Sequence, residues 1–309
     1  SSSLFANKIG GIYDSGGKFD KSFNELAFRT AERVKNELGW DMIEFEAANN
    51  TQIEQGMRKV ADRGATLVVA MGFAQADAVA AIAPQYPDVN FVAVDVCWVD
   101  DPAGNIYQAC YLEHEGSFLV GVIAAMASKT GTIGFVGGMD IPLIRKFQGG
   151  YEQGALYANP DIKILANMTG TTPEAWNNPT KGAELTKAQI DGGADVVYQA
   201  AGGTGIGVLQ AAADAGIYGI GVDTNQNWMH PGSMLTSMLK RLDLTIFEQA
   251  EKTAAGTFEP GINILGLAQG MVGYATEDGM VTDEMAAAAD AAAAGIIDGS
   301  ITVADWSQE

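Results

Sequence analysis

The chain has 309 residues, 47% of them apolar and 18% charged, which is a globular composition with room for two domains of ordinary size. No apolar run approaches the roughly 20 residues that span a bilayer, so a membrane-spanning helix is excluded. The net charge of −20 repels phosphate backbones and sets nucleic acid aside as a partner.

Taken from the start, residues 1–5 are too short for a signal peptide, so the chain is read either as cytosolic or as a mature or trimmed form whose export signal is gone. A strand is expected at 9–13. The loop after it reads Tyr13-Asp14-Ser15-Gly16-Gly17-Lys18-Phe19-Asp20-Lys21-Ser22-Phe23-Asn24 and opens a helix over 22–38. In that helix Phe23, Leu26, Ala27, Ala31, Val34 and Leu38 keep the period of about 3.6 residues. A strand at 42–46 and an Asn49-capped helix to about 63 follow. The continuous apolar run 66–71 is typical of a parallel strand buried on both faces. Gly72-Phe73 then opens a helix over 75–82, a strand at 90–95 ends on an aspartate, and another strand is expected at 105–111. A strongly apolar helix over 115–128 is stopped by Gly131.

A second cycle starts there. It has a strand at 132–136, a glycine-bearing loop at 137–142, a helix at 143–157, a strand at 163–168 and a polar loop at 169–179 containing Trp176. A helix at 181–191, a strand at 195–200, a glycine turn at 202–205 and a helix at 206–215 come next. The strand at 217–223 again ends on an aspartate. A strand at 235–238, a helix at 242–255, a strand-like run at 263–268 and an alanine-rich helix at 282–297 complete the chain.

Strands alternating with helices imply parallel sheets covered on both faces. The pattern runs twice without a close sequence repeat, so the duplication is architectural. The expected fold class is α/β: a two-lobe clamshell, each lobe a parallel sheet flanked by helices, with the ligand in the cleft. The lobes are expected to comprise 1–130 with about 236–268, and 131–235 with about 269–309, joined by crossings near 130, 233–237 and 266–272. Two cysteines, Cys97 and Cys110, flank one strand–loop–strand region. A disulfide is open to them, but two buried free thiols are the expected state, and the compartment stays unsettled. No Cys/His cluster suggests a structural zinc site.

Three sets of residues carry chemistry. Asp14, Asp95 and Asp223 stand at strand ends, with Asp140 one turn beyond another. A strand-end aspartate is often a turn former or helix cap, but in an open α/β sheet the carboxyl ends of the strands are where ligands bind. Carboxylates there suit paired hydroxyls, as on a ribose, or ring nitrogens carrying hydrogen, and suit phosphates poorly. Ala201-Gly202-Gly203-Thr204-Gly205-Ile206-Gly207 follows a strand but lacks the G-x-G-x-x-G spacing, so a close backbone approach to a ligand fits it better than a nicotinamide cofactor. Phe23, Phe73 and Trp176 lie on or beside strand-end loops, where a planar ligand could stack between two rings; core packing is the alternative for each. The two histidines, His114 and His230, adjoin no nucleophile motif, and there is no G-x-S-x-G, H-E-x-x-H or Walker loop. Binding without catalysis, without a cofactor and without a metal is therefore expected.

Six motifs in order now converge: Tyr13-Asp14-x-Gly16-Gly17-x-x-Asp20-Lys21-Ser22-Phe23-Asn24; Gly137-Gly138-x-x-Ile141-Pro142 with Phe147-x-x-Gly150-Tyr151-x-x-Gly154-Ala155; Trp176-Asn177-x-Pro179-x-Lys181-Gly182; Ala201-Gly202-Gly203-Thr204-Gly205; Gly221-Val222-Asp223-x-x-Gln226; and Thr236-Ser237-Met238-x-Lys240. Together they resemble the basic membrane lipoprotein family, which includes purine nucleoside receptors of bacterial ABC importers. The resemblance implies a periplasmic or lipid-anchored solute-binding protein of the two-lobe type I fold, acting as a monomer with a permease of the inner membrane. It implies adenosine, guanosine or inosine as ligand, with the base stacked between Phe23 and Trp176 and addressed by Asp14 and Asn24. The sugar would meet Asp95, Asp223 and Lys240 with the backbone at Gly202 and Gly203. A free purine, a flavin or a sugar as ligand, or a role as ligand sensor, stays open.

Overall fold

Strand β1 (Lys8–Tyr13) is an interior strand of the first sheet, and helix α1 (Phe23–Leu38) follows its loop. The chain then runs β2 (Asp41–Glu46), α2 (Ile53–Asp62), β3 (Leu67–Met71), α3 (Ala76–Ile82), β4 (Asn90–Val94) and β5 (Ile106–Tyr111). This computed structural model describes residues 6–309, so the expectation about residues 1–5 lies outside the described residues. Helix α4 (Glu113–Ala127) leads to β6 (Thr132–Met139), α5 (Pro142–Ala158), β7 (Lys163–Gly170), α6 (Pro179–Asp191), β8 (Val196–Ala200), α7 (Thr204–Asp214), β9 (Tyr218–Asp223) and β10 (Met234–Lys240). The chain closes with α8 (Leu242–Ala255), β11 (Gly261–Leu265), β12 (Val272–Tyr274) and α9 (Asp283–Asp298).

Among the described residues two six-stranded sheets result, ordered β11-β5-β4-β3-β1-β2 and β12-β10-β9-β8-β6-β7. Without the extra edge strand, each follows one plan: the second-entered strand at the edge, then the first, third, fourth and fifth. Strands β1 to β5 pair in parallel, as do β6 to β10, while β12 is antiparallel to β10. The expected duplication of architecture is therefore a duplication of strand order. In such an order the connections leave to opposite sides of the first strand, which opens a crevice at its carboxyl end. These crevices lie at β1/β3 in one sheet and β6/β8 in the other.

The chain divides into two units: Ser1–Phe19, Phe23–Tyr111 and Leu242–Ile264 form one, and Asp20–Ser22, Leu112–Arg241 and Leu265–Glu309 form the other. This differs from the expected lobe bounds at two elements. Helix α4 belongs to the second unit, because its Phe118, Leu119, Val122 and Ile123 are buried in one apolar cluster with Phe135, Tyr151, Tyr198, Ile220 and Val222. Strand β10 belongs there too, since it pairs with β9 and β12. In the first unit, Ile12, Met57, Val60, Val68, Val79, Ile82 and Phe91 form the core beside the sheet.

Two other expectations are corrected. Strand β6 continues through Gly137-Gly138 to Met139, where a loop was expected, because Gly137 pairs with Met168 and Met139 with Gly170. Cys97 and Cys110 are joined in a disulfide, not free. The loop after β4 folds back along β5, its parallel neighbour, and brings the two Cα atoms to 6.0 Å, within disulfide reach. No helix among the described residues is long and apolar enough to cross a membrane.

Candidate functional site

In the first unit the site is built at the carboxyl ends of β1, β3 and β4. Asp14 leaves β1 in a tight turn, with its Oδ1 accepting from the Gly16 N–H at 2.9 Å. Asn24, buried near the start of α1, closes a two-way pair with it. Asn24 Nδ2 donates to Asp14 Oδ1 at 2.6 Å, and the Asp14 N–H donates to Asn24 Oδ1 at 3.2 Å. Asn24 thus holds Asp14 in place. Gly72 ends β3 at φ +108°, and a Cβ there would sit 3.2 Å from Asp14 Oδ2 and 3.8 Å from Phe23 Cε1. Only a glycine leaves this meeting of aspartate and half-buried ring open. Beneath it, Gln75 Nε2 donates to the carbonyls of Ile12 and Met71, tying the ends of β1 and β3 together.

Asp95 follows β4, and its charge acts on Asp14. Burial, more than this repulsion, pushes the Asp14 carboxyl above its ordinary value, against the opposing hydrogen bonds from Asn24 and Gly16. Lys18 and Phe19 lie at the rim, Phe19 being 64% exposed. Lys18 Nζ pairs with Glu44 at 2.6 Å and lies over the Phe19 and Phe28 rings.

In the second unit the corresponding ends belong to β6, β8, β9 and β10. The Trp176 ring lies against the backbone of Gly138 and near Gly202: a Cβ on Gly138 would be 2.3 Å from Trp176 Cζ3. The loop carrying Trp176 is clamped by Thr204, whose Oγ1 donates to the Ala175 carbonyl at 2.5 Å and accepts from the Asn178 N–H at 2.8 Å. Gly202, at φ +56°, and Gly203 turn the chain into α7, at whose first turn the backbone N–H groups converge. The expected glycine turn is therefore the floor under the indole.

Asp223 ends β9. Ser22 Oγ donates to the Val222 carbonyl at 3.1 Å and approaches Asp223 Oδ2 at 3.3 Å. Gln226 Oε1 accepts from the Val222 N–H and from Gln199 Nε2, and Gln226 Nε2 donates to the Lys21 carbonyl. Lys21 sits at φ +58° with its ammonium 5.6 Å from the Trp228 ring centre. Lys240, at the end of β10, is 2% exposed, and its Nζ lies 3.2 Å from Glu113 Oε1 and 5.7 Å from the Phe147 ring centre. Glu113 also meets Lys146 at 3.1 Å. Burial opposes the Glu113 charge, yet Lys240 and Lys146 hold its carboxyl below the usual carboxylate range. Asp140, by contrast, is exposed and pairs with Arg145 at the start of α5.

By strand order β4 and β9 are equivalents, so Asp95 and Asp223 occupy the same corner of the two sheets. Both are buried, and both adopt the left-handed region, at φ +65° and +70°. A non-glycine residue holds that conformation at a cost, and such outliers cluster at ligand sites. Sequence reasoning missed Ser22, Thr204 and Glu113 as site residues. Ser22 and Thr204 stood inside quoted motifs, whereas nothing in the pattern around Glu113 announces the two lysines that meet it.

Comparison with known proteins identifies the family and the fold. The model of a family described as Bmp, ABC transporter substrate-binding protein PnrA-like, matches residues 8–306. The chain is 33% identical to "Basic membrane protein A2" of Borrelia garinii subsp. bavariensis, over 96% of this chain and 86% of that protein. It is 32% identical to "ABC transporter nucleoside-binding protein BmpA" of Lactococcus lactis subsp. cremoris, over 94% of this chain and 87% of that one. Among solved structures, an ABC transporter solute-binding protein from Aeropyrum pernix K1 superposes with a TM-score of 0.87 at 25% identity, covering 97% of this chain and 93% of that one. With two parallel-dominated, helix-flanked sheets of the periplasmic-binding fold, the chain belongs to the Bmp family of PnrA-like ABC transporter substrate-binding proteins.

Proposed function

We propose that this protein captures a purine nucleoside by lobe closure and delivers it to an ABC permease, as a monomer and with no bond made or broken. The reading rests on one observation above the others: equivalent corners of the two sheets each present a buried aspartate in a left-handed backbone conformation. Carboxylates so held accept from hydroxyl or ring N–H donors and disfavour phosphates, so a neutral nucleoside fits them better than a nucleotide. Phe23 and Trp176 would stack on the base and Asp14, held by Asn24, would accept from it. Asp95, Asp223 and Lys240, with the backbone of Gly202 and Gly203, would take the ribose. The Lactococcus relative's name supports the ligand class. The Cys97–Cys110 disulfide supports an oxidising, extracytoplasmic location, and two Pyrococcus relatives named as lipoproteins support a lipid anchor.

Titration calorimetry with adenosine, guanosine, inosine, hypoxanthine and ribose tests this. Micromolar or tighter binding of at least one nucleoside is expected, corresponding to about 8 kcal/mol or more. Asp223→Ala is expected to weaken the nucleoside at least about tenfold while leaving hypoxanthine within about twofold. No heat from any nucleoside would refute the reading, and tighter binding of hypoxanthine or ribose would move it to a free base or a sugar. Incubation with inosine is expected to release no hypoxanthine.

A further inference from the structure

Asp95, in its left-handed backbone conformation, stands in a run of contacts to β5. The Asp95 N–H donates to the Ala109 carbonyl at 2.8 Å. Two residues on, Cys97 is cross-linked to Cys110. Two further on, the Val99 N–H donates to Gln108 Oε1 at 3.1 Å, and Gln108 Nε2 donates back to the Val99 carbonyl at 2.9 Å. The loop 95–99 is thus laced to the successive residues 108–110. Val96 is buried in the core of the unit and Val99 packs against it, while Trp98 is 61% exposed.

The equivalent corner of the second unit shares the pairing to the fifth strand, Asp223 with Leu239 of β10, but the cross-link belongs to the first corner. Asp223 is braced by Ser22 and, through the Val222 N–H, by the Gln226 amide. A covalent brace in one of two equivalent corners is not demanded by the fold, so it serves something local, and the local feature is Asp95.

We propose that the Cys97–Cys110 cross-link, together with Gln108, positions Asp95, and that ligand affinity depends on this brace. It acts by removing alternatives: an unlinked loop gains conformations in which the Asp95 backbone relaxes to negative φ and its carboxylate leaves the place it holds beside Asp14. Cys97, Cys110 and Gln108 are positioning residues, acting through Asp95. The inference rests on the reading of Asp95 as a ribose contact.

The test compares wild type, the double variant Cys97→Ser with Cys110→Ser, and Gln108→Leu, each also with Asp95→Ala, titrated with inosine and hypoxanthine well below the unfolding temperature. Both brace variants are expected to weaken inosine about tenfold and hypoxanthine less than about twofold. With Asp95→Ala in place, the brace substitutions are expected to add nothing, because their effect passes through the removed carboxylate. Wild-type inosine affinity in the double variant, or equal losses for both probes in both backgrounds, would overturn the proposal and leave the cross-link as a stabiliser of the fold alone. Failure of the nucleoside reading shows separately, as an absence of inosine heat in wild type. The brace is then read without ligand, by amide exchange: the Asp95 N–H is expected to lose protection at least about tenfold in the double variant while β3 amides keep theirs. Unchanged protection at Asp95 overturns the proposal on that arm.

Discussion

Asp14, the proposed base contact, shows how a carboxylate placed for a ligand can cost the fold that carries it. Burial and, secondarily, Asp95 raise its carboxyl above the ordinary value of 3.8. Between that value and the raised one, the native state binds more protons than the unfolded chain, so this group's contribution to stability falls as pH rises through the window. Above the window the full penalty is present. Asp14→Asn keeps an oxygen to accept from Asn24 and Gly16 while removing the buried charge and its repulsion with Asp95. The variant is expected to melt on the order of 2–4 °C higher at pH 7, with the gain vanishing as pH approaches 4. Its nucleoside affinity is expected to fall by at least about tenfold. Thermal melts of both proteins at stepped pH check the sign. A variant less stable at pH 7 would mean that the carboxylate gains more from its hydrogen bonds than it loses to burial.

At the scale of elements, α4 and α5 pack backbone to backbone over glycines. A Cβ on Gly121 would meet the Tyr151 carbonyl at 2.2 Å, one on Gly150 the His114 carbonyl at 2.2 Å, and one on Gly154 the Phe118 carbonyl at 2.0 Å. Gly154→Ala gains about 1 kcal/mol of helix propensity. Against that, backbone cannot swing aside as a side chain can, so the helices must part and unpack the Phe118–Tyr151 cluster, at a cost of about 1–3 kcal/mol. Packing is expected to win, and urea unfolding should show a lower midpoint; a higher one would show that the helices separate freely. Gly150 and Gly154 stood in the quoted motifs and Gly121 did not, yet the reason for all three was invisible, because a helix–helix distance is not written in either helix. The same limit explains what else the sequence left unread. Apolar runs such as 66–71 announced a buried strand, and the alternation announced parallel sheets. The strand order, the short β12 and the allegiance of α4 depend on partners distant in the chain. Asp14, Asp95 and Asp223 were legible as strand-end carboxylates. The meeting of Glu113 with Lys240 and Lys146 was not, since those residues lie far apart in sequence and share no pattern.

The whole molecule carries 38 acidic against 18 basic residues, the surplus behind its charge of −20. Exposed ion pairs such as Arg33–Glu37 and Lys252–Glu248 contribute at most about 1 kcal/mol each and weaken with salt. The self-repulsion of the surplus acts over every exposed carboxylate, opposes the compact state and also weakens with salt. The two effects have opposite signs, and the surplus outnumbers the pairs, so screening is expected to stabilise the fold. The Debye length falls from about 30 Å at 0.01 M to about 10 Å at 0.1 M, which already screens most of the long-range repulsion while specific salt effects remain small. The melting temperature is therefore expected to rise on the order of 5 °C across that range in sodium chloride, and by the same amount in potassium chloride. A fall would mean that the ion pairs outweigh the surplus. A difference between the two cations would point to ion binding at particular carboxylates, because uniform screening depends on ionic strength alone.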